Sequence, residues 1–153
     1  MIELSNILLL LSSLTLGVFL GAQIAEACLF VPIWKKMNPD DFFEQHESVA
    51  PLIYRFFAPI TIAATIIPLM AVLVNLIFSA DNLVAFVILG GSTLIFFSTY
   101  FLYFKEANQM FADRSLSNEE LPDELIKWGN WHWFRIVFEM IAFLASLYIL
   151  FVR

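Results

Sequence analysis

Cysteine is almost absent from the chain. Cys28 is the only one among 153 residues, which excludes an intrachain disulfide and any cysteine-built metal site. Charge is scarce too: 14% of residues are Asp, Glu, Lys or Arg, against about 25% in a soluble domain. Acids outnumber bases 14 to 8, for a net charge of -6. The bases form no arm or stripe that could track phosphates, so nucleic acid is not expected as a partner. The two histidines, His46 and His132, fit neither His-Glu-x-x-His nor Glu-x-x-His spacing. Internal repeats and low-complexity tracts are missing as well.

What the chain has is hydrocarbon: 61% of residues are hydrophobic and the mean hydropathy is +0.82. Four apolar runs, about 7–31, 56–78, 83–104 and 133–152, reach the roughly 20 helical residues that cross a bilayer core. The first run lacks the basic start of a signal peptide, carries Glu3 and exceeds a signal's apolar length, so it reads as a retained helix. The expected fold is therefore all-α: one domain, 1–153, forming an integral membrane four-helix bundle with short amphipathic helical segments in its two long loops.

Lys35, Lys36, Arg55, Lys105, Arg114, Lys127 and Arg135 fall at the end carrying the long loops, and only Arg153 falls at the other. The positive-inside rule then places the long loops in the cytoplasm. Both termini and the Ser79 to Asn82 turn are non-cytoplasmic, and the expected setting is a bacterial inner (cell) membrane. Trp34, Trp128, Trp131, Trp133 and both histidines share the loop end, which is where a chemical site belongs.

The loops carry helix-start signals. Asn38, Pro39, Asp40 and Asp41 read as an N-cap, a first-turn proline and two acids favoured by the helix dipole. Pro51, Pro59 and Pro68 follow, predicting a break near Pro51 and kinks deeper down. Ser117 with Glu120 reads as a capping box that starts a short amphipathic helix bearing Leu121, Leu125 and Trp128. In the first run Gly17, Gly21 and Ala25 recur every four residues, a spacing for close helix packing within the chain or along a seam with a second copy or a larger complex.

Ionisable residues within the spans are Glu26, Arg135 and Glu139, each costly in lipid and therefore expected to face protein, water or a partner. Spacings of 4, 3 and 4 put Trp128, His132, Arg135 and Glu139 on one helical stripe. Glu26 lies at a similar depth, with Gln23 three residues before it, and Tyr100 and Tyr103 offer phenols nearby. His46 and Glu47 reach the mouth from the second helix.

Several readings stay open. The cluster is a structural Arg and Glu network under an aromatic belt, or a metal site drawing on His46, His132 and some of Glu26, Glu47 and Glu139. It can also be an organic-substrate pocket with His132, Arg135, Glu139 and Glu26 as catalytic groups, or a proton-coupled carrier centred on Glu26. In the pocket reading Trp128, Trp131, Asn108, Tyr100, Tyr103 and His46 bind a small lipophilic ligand, with no cofactor identified. A non-enzymatic subunit packing through Gly17 and Gly21 is the rival class.

The layout resembles the anthrone oxygenase-like family of small four-helix membrane proteins, mostly of unassigned function. The resemblance rests on a Gly-containing first helix, a polar Asn108 in FKEAN after the third, and Trp128, Trp131 and Arg135 spaced as the family's Trp, two residues, Trp-Asn, two residues, Arg. His132 replaces that Asn, and only Asn108 remains of two asparagines that bracket a proline in the family. The resemblance implies oxidation of an activated aromatic substrate by molecular oxygen without a cofactor. A base removes a proton, and the carbanion reacts with oxygen; His132 would be that base and Arg135 the partner of the developing oxyanion.

Overall fold

The computed structural model describes residues 2–78 and 82–152. Ser79, Ala80 and Asp81 of the expected turn lie outside the described residues, as does Arg153. Helix α1 (Ile2–Ala25) passes through a π-helical turn, Glu26–Phe30, into the short α2 (Val31–Trp34). Helix α3 spans Pro39–Phe78. Helix α4 (Leu83–Thr99) passes through a second π-helical turn, Tyr100–Phe104, into α5 (Lys105–Ala112), and α6 runs Leu121–Val152. The described residues contain no strand.

Chain neighbours are spatial neighbours. α1 packs on α3, α3 on α4, α4 on α6, and α6 closes the square against α1. Four long apolar rods result: Glu3–Trp34, Pro39–Phe78, Leu83–Ala112 and Leu121–Val152. Leu10, Leu14, Val84 and Leu102 are each more than half exposed on their outsides, while Ser12, Asn75, Thr93, His132, Glu139 and Ser146 are buried. Apolar outside with polar inside suits a solvent of lipid chains, and an integral membrane four-helix bundle is the class this architecture defines.

The amphipathic segments expected in the loops are present, but as the first turns of the same rods. Asn38 caps α3, its side-chain oxygen accepting from the Asp41 N–H at 3.1 Å. The Ser117 N–H donates to the Glu120 carboxylate at 2.9 Å, and the Glu120 N–H returns a bond to the Ser117 hydroxyl at 3.3 Å. That capping box starts α6 itself, so the last rod begins well before Trp133. Gly129 lies within that rod, where a Cβ would meet the Val31 side chain of α2 at 3.3 Å, so the missing side chain lets α2 lie close against α6.

The break expected near Pro51 does not occur. Pro51, Pro59 and Pro68 all sit inside one 40-residue helix. Each proline removes a single ladder bond while the bonds on either side persist, and lipid offers nothing to the polar groups that a true break would free. At 1.5 Å per residue α3 is about 60 Å long, roughly twice the hydrocarbon core, so part of it stands clear of the bilayer.

Two large apolar cores fill the square, with a smaller cluster of Leu20, Ala27 and Ile136. One holds Leu9, Leu16, Phe19, Phe86, Leu89, Phe96 and Ile149. The other, at the loop end, holds Phe42, Phe43, Phe104, Phe111, Leu121 and Trp128. Between them lies a polar layer.

Candidate functional site

The polar layer is built where the helices carry their π turns. A π turn inserts one residue, so the chain beyond it is rotated by about 100°. In an unbroken helix residues eight apart would diverge by about 80°; one inserted residue brings them back to within about 20°. Glu26 and Trp34 are such a pair across the first π turn, and Phe96 and Phe104 across the second. All four line one cavity of about 510 Å³ bounded by the four rods.

The polar wall of this cavity is Gln23 and Glu26 from the first rod and Arg135 from α6. The Arg135 Nη2 donates to Gln23 Oε1 at 2.6 Å and to His132 Nδ1 at 2.7 Å. His132 Nε2 lies 2.9 Å from the Gln23 carbonyl oxygen. A guanidinium only donates and a carbonyl only accepts, so Nδ1 is the ring's acceptor and Nε2 its donor: a neutral imidazole with both nitrogens engaged. Glu26 Oε2 stands 3.8 Å from His132 Nε2. The Arg135 guanidinium rests 4.2 Å above the Phe104 ring, within the range of cation–π attraction.

Trp128 covers His132, stacked at 4.9 Å and 17°. Its indole N–H donates to Asn108 Oδ1 at 3.0 Å, which fixes the ring from the α5 side. Trp34 meets the Trp128 edge at 5.8 Å, and Phe42 packs on Phe111 at 5.3 Å. These rings form the loop-end wall of the cavity.

Of the residues expected at a site, Glu26, Arg135, Trp128, Asn108, Tyr100 and His46 do line the cavity. Four do not. His132 is fully buried behind Trp128, with both ring nitrogens engaged by Arg135 and the Gln23 carbonyl, and so stands behind the cavity lining and not in it. Glu139 is fully buried one turn beyond Arg135, and neither of its carboxylate oxygens has a hydrogen-bond partner among the described residues. Trp131 and Tyr103 stack on each other at 5.2 Å, with the Tyr103 hydroxyl donating to Glu124 at 2.6 Å. Trp131 projects to the side of the 128, 132, 135, 139 stripe, so that pair joins the second π turn to α6.

The expected Arg–Glu network takes another form. No carboxylate among the described residues lies within 4.0 Å of Arg135, whose partners are an amide and an imidazole. His46 packs against Phe42 and Phe111 at 5.6 and 5.7 Å, and no three His, Cys, Asp or Glu side chains gather as metal ligands among the described residues. Gln23 is the residue that sequence reasoning underrated. A lone amide in an apolar run was the available signal.

Gly17 serves packing within the chain: a Cβ there would meet the Phe143 ring at 3.1 Å. Gly21 has open space around it. No family model, curated protein or solved structure matches the chain.

Proposed function

We propose that the protein is a membrane-embedded, oxygenase-like oxidoreductase acting on a small lipophilic aromatic molecule held in the cavity. The observation that carries the reading is the polar wall: Glu26 and Arg135 face one space from adjacent helices without pairing to each other, opposite walls of Phe, Tyr and Trp. A volume of about 510 Å³ suits a ligand of two or three fused rings. The resemblance to the anthrone oxygenase-like family supplies the reaction class.

In this reading Glu26 accepts the proton from an activated CH2 group, and Arg135 carries the negative charge that moves onto the adjacent ring oxygen. The carbanion combines with molecular oxygen; a CH2 and O2 become a carbonyl and water, so atoms and electrons balance without a resident cofactor. His132 is a positioning residue that holds the guanidinium. With the long loops in the cytoplasm of a bacterial cell, both termini lie outside. The test is oxygen uptake by protein in vesicles supplied with 1,8-dihydroxyanthrone. Glu26→Gln and Arg135→Met should each lower turnover by about 100-fold, and unchanged turnover in both would overturn the reading. A non-enzymatic subunit has one observation in its favour, the open Gly21 on the surface of α1.

A further inference from the structure

The cavity's walls are unequal, and the inequality bears on how it is reached. Toward the loops it ends in interlocked rings: Phe42 and Phe111 are 2% and 4% exposed, and Trp34 and Trp128 meet edge to face. Toward α1 and α6 it ends in the polar wall. Toward the gap between α3 and the α4 rod its lining is itself outer surface. Tyr54 and Ile62 on one lip are 69% and 56% exposed, and Tyr100 and Phe101 on the other are 40% and 62% exposed, although all four line the cavity. Residues that face both a cavity and the outside mark its opening.

One turn along α3 from Ile62 the exposed Ile66 continues the same apolar face. The opening lies along two rods long and apolar enough to span the membrane. A slot so placed opens onto acyl chains.

Resting on the reading above, we propose that the cavity is loaded sideways from the bilayer through the slot between α3 and the Tyr100–Phe101 stretch. Its occupant is a molecule dissolved in the lipid, which enters apolar part outward and seats a polar end on Gln23, Glu26 and Arg135. The occupant's head both donates and accepts hydrogen bonds, as a phenolic ketone does, because the wall offers a carboxylate and a guanidinium side by side. Its rings remain between Phe57, Phe97 and Tyr100, nearest the slot.

Blocking the slot tests the route apart from the site. In a Cys28→Ser background, Ile62→Cys carries a thiol on the slot lip, and Lys36→Cys carries one at the loop end. Each is modified with benzyl methanethiosulfonate in phosphatidylcholine vesicles, and 1-hydroxyanthraquinone is the probe, followed by quenching of tryptophan emission. Modification at position 62 should slow association and release alike, by about tenfold, with Kd within about twofold and rates restored by reductant. Modification at position 36 should change neither. Saturable quenching with rates indifferent to the slot, or slowed only from position 36, overturns the route and leaves the site standing. Absence of saturable quenching removes the site and the route with it.

Discussion

His132 has opposite demands on its two ring nitrogens, a donor at 2.7 Å and a carbonyl at 2.9 Å, in a fully buried position. His132→Ala removes one of the two acceptors of Arg135 Nη2 and the ring's bond to the Gln23 carbonyl, and should lower unfolding free energy in detergent by about 1–3 kcal/mol. His132→Asn, which keeps one donor and one acceptor, should recover part of that loss. Glu139 is the opposite case, a buried carboxyl with neither oxygen bonded among the described residues. Glu139→Met should raise stability by about 1 kcal/mol or more. A fall instead would show that the carboxylate's field at Arg135 outweighs its own desolvation. The stripe of Trp128, His132, Arg135 and Glu139 was legible from spacing alone. The bonds were not, since they depend on Gln23, whose carbonyl is backbone and whose amide is one polar group among apolar neighbours.

The elements owe their starts to local chemistry that a sequence displays. The Ser117 backbone N–H, with its hydroxyl second, holds the Glu120 carboxyl below its usual range. A depressed carboxyl stabilises the folded end above its ordinary pKa of 4.5 and loses that contribution as pH falls through its lower folded value. Amide exchange at Leu121–Glu124, relative to mid-helix amides, should accelerate below that range, and Ser117→Ala, which keeps the backbone N–H but loses the hydroxyl, should shrink the pH step without removing it. The π turns are another matter. No residue pattern in EACLF or YFLYF distinguishes them from ordinary helix, and their consequence, bringing Trp34 and Phe104 into the cavity, is not readable by counting at 3.6 residues per turn. Inserting an alanine after the exposed Leu29 in the first π turn should keep helicity by circular dichroism but rotate Trp34 away by about 100°. The measurable result is loss of its share of probe quenching.

At the scale of the molecule the four spans were legible because lipid demands long apolar runs, and their square arrangement follows from short connections. The length of the rods was hidden, since polar first turns look like separate loops until a capping box is seen to feed straight into a span. Packing on the first rod divides its two glycines. Gly17→Leu should destabilise the monomer in a thermal melt, because Phe143 stands 3.1 Å from the added Cβ, whereas Gly21→Leu should leave the melt unchanged. If Gly21→Leu instead shifts the particle size in detergent, that face joins copies of the chain.

The contact between Gln23, His132 and Arg135 also bears on how the chain can change over generations. Arg135 holds an amide from the first rod and an imidazole from its own, so a replacement at one of these positions strands polar atoms at the other two. Drift at this spot is therefore not gradual. Related chains should carry the three residues as a block, or exchange all three together for an apolar set, and a chain with only two of them would record a lineage caught between those states.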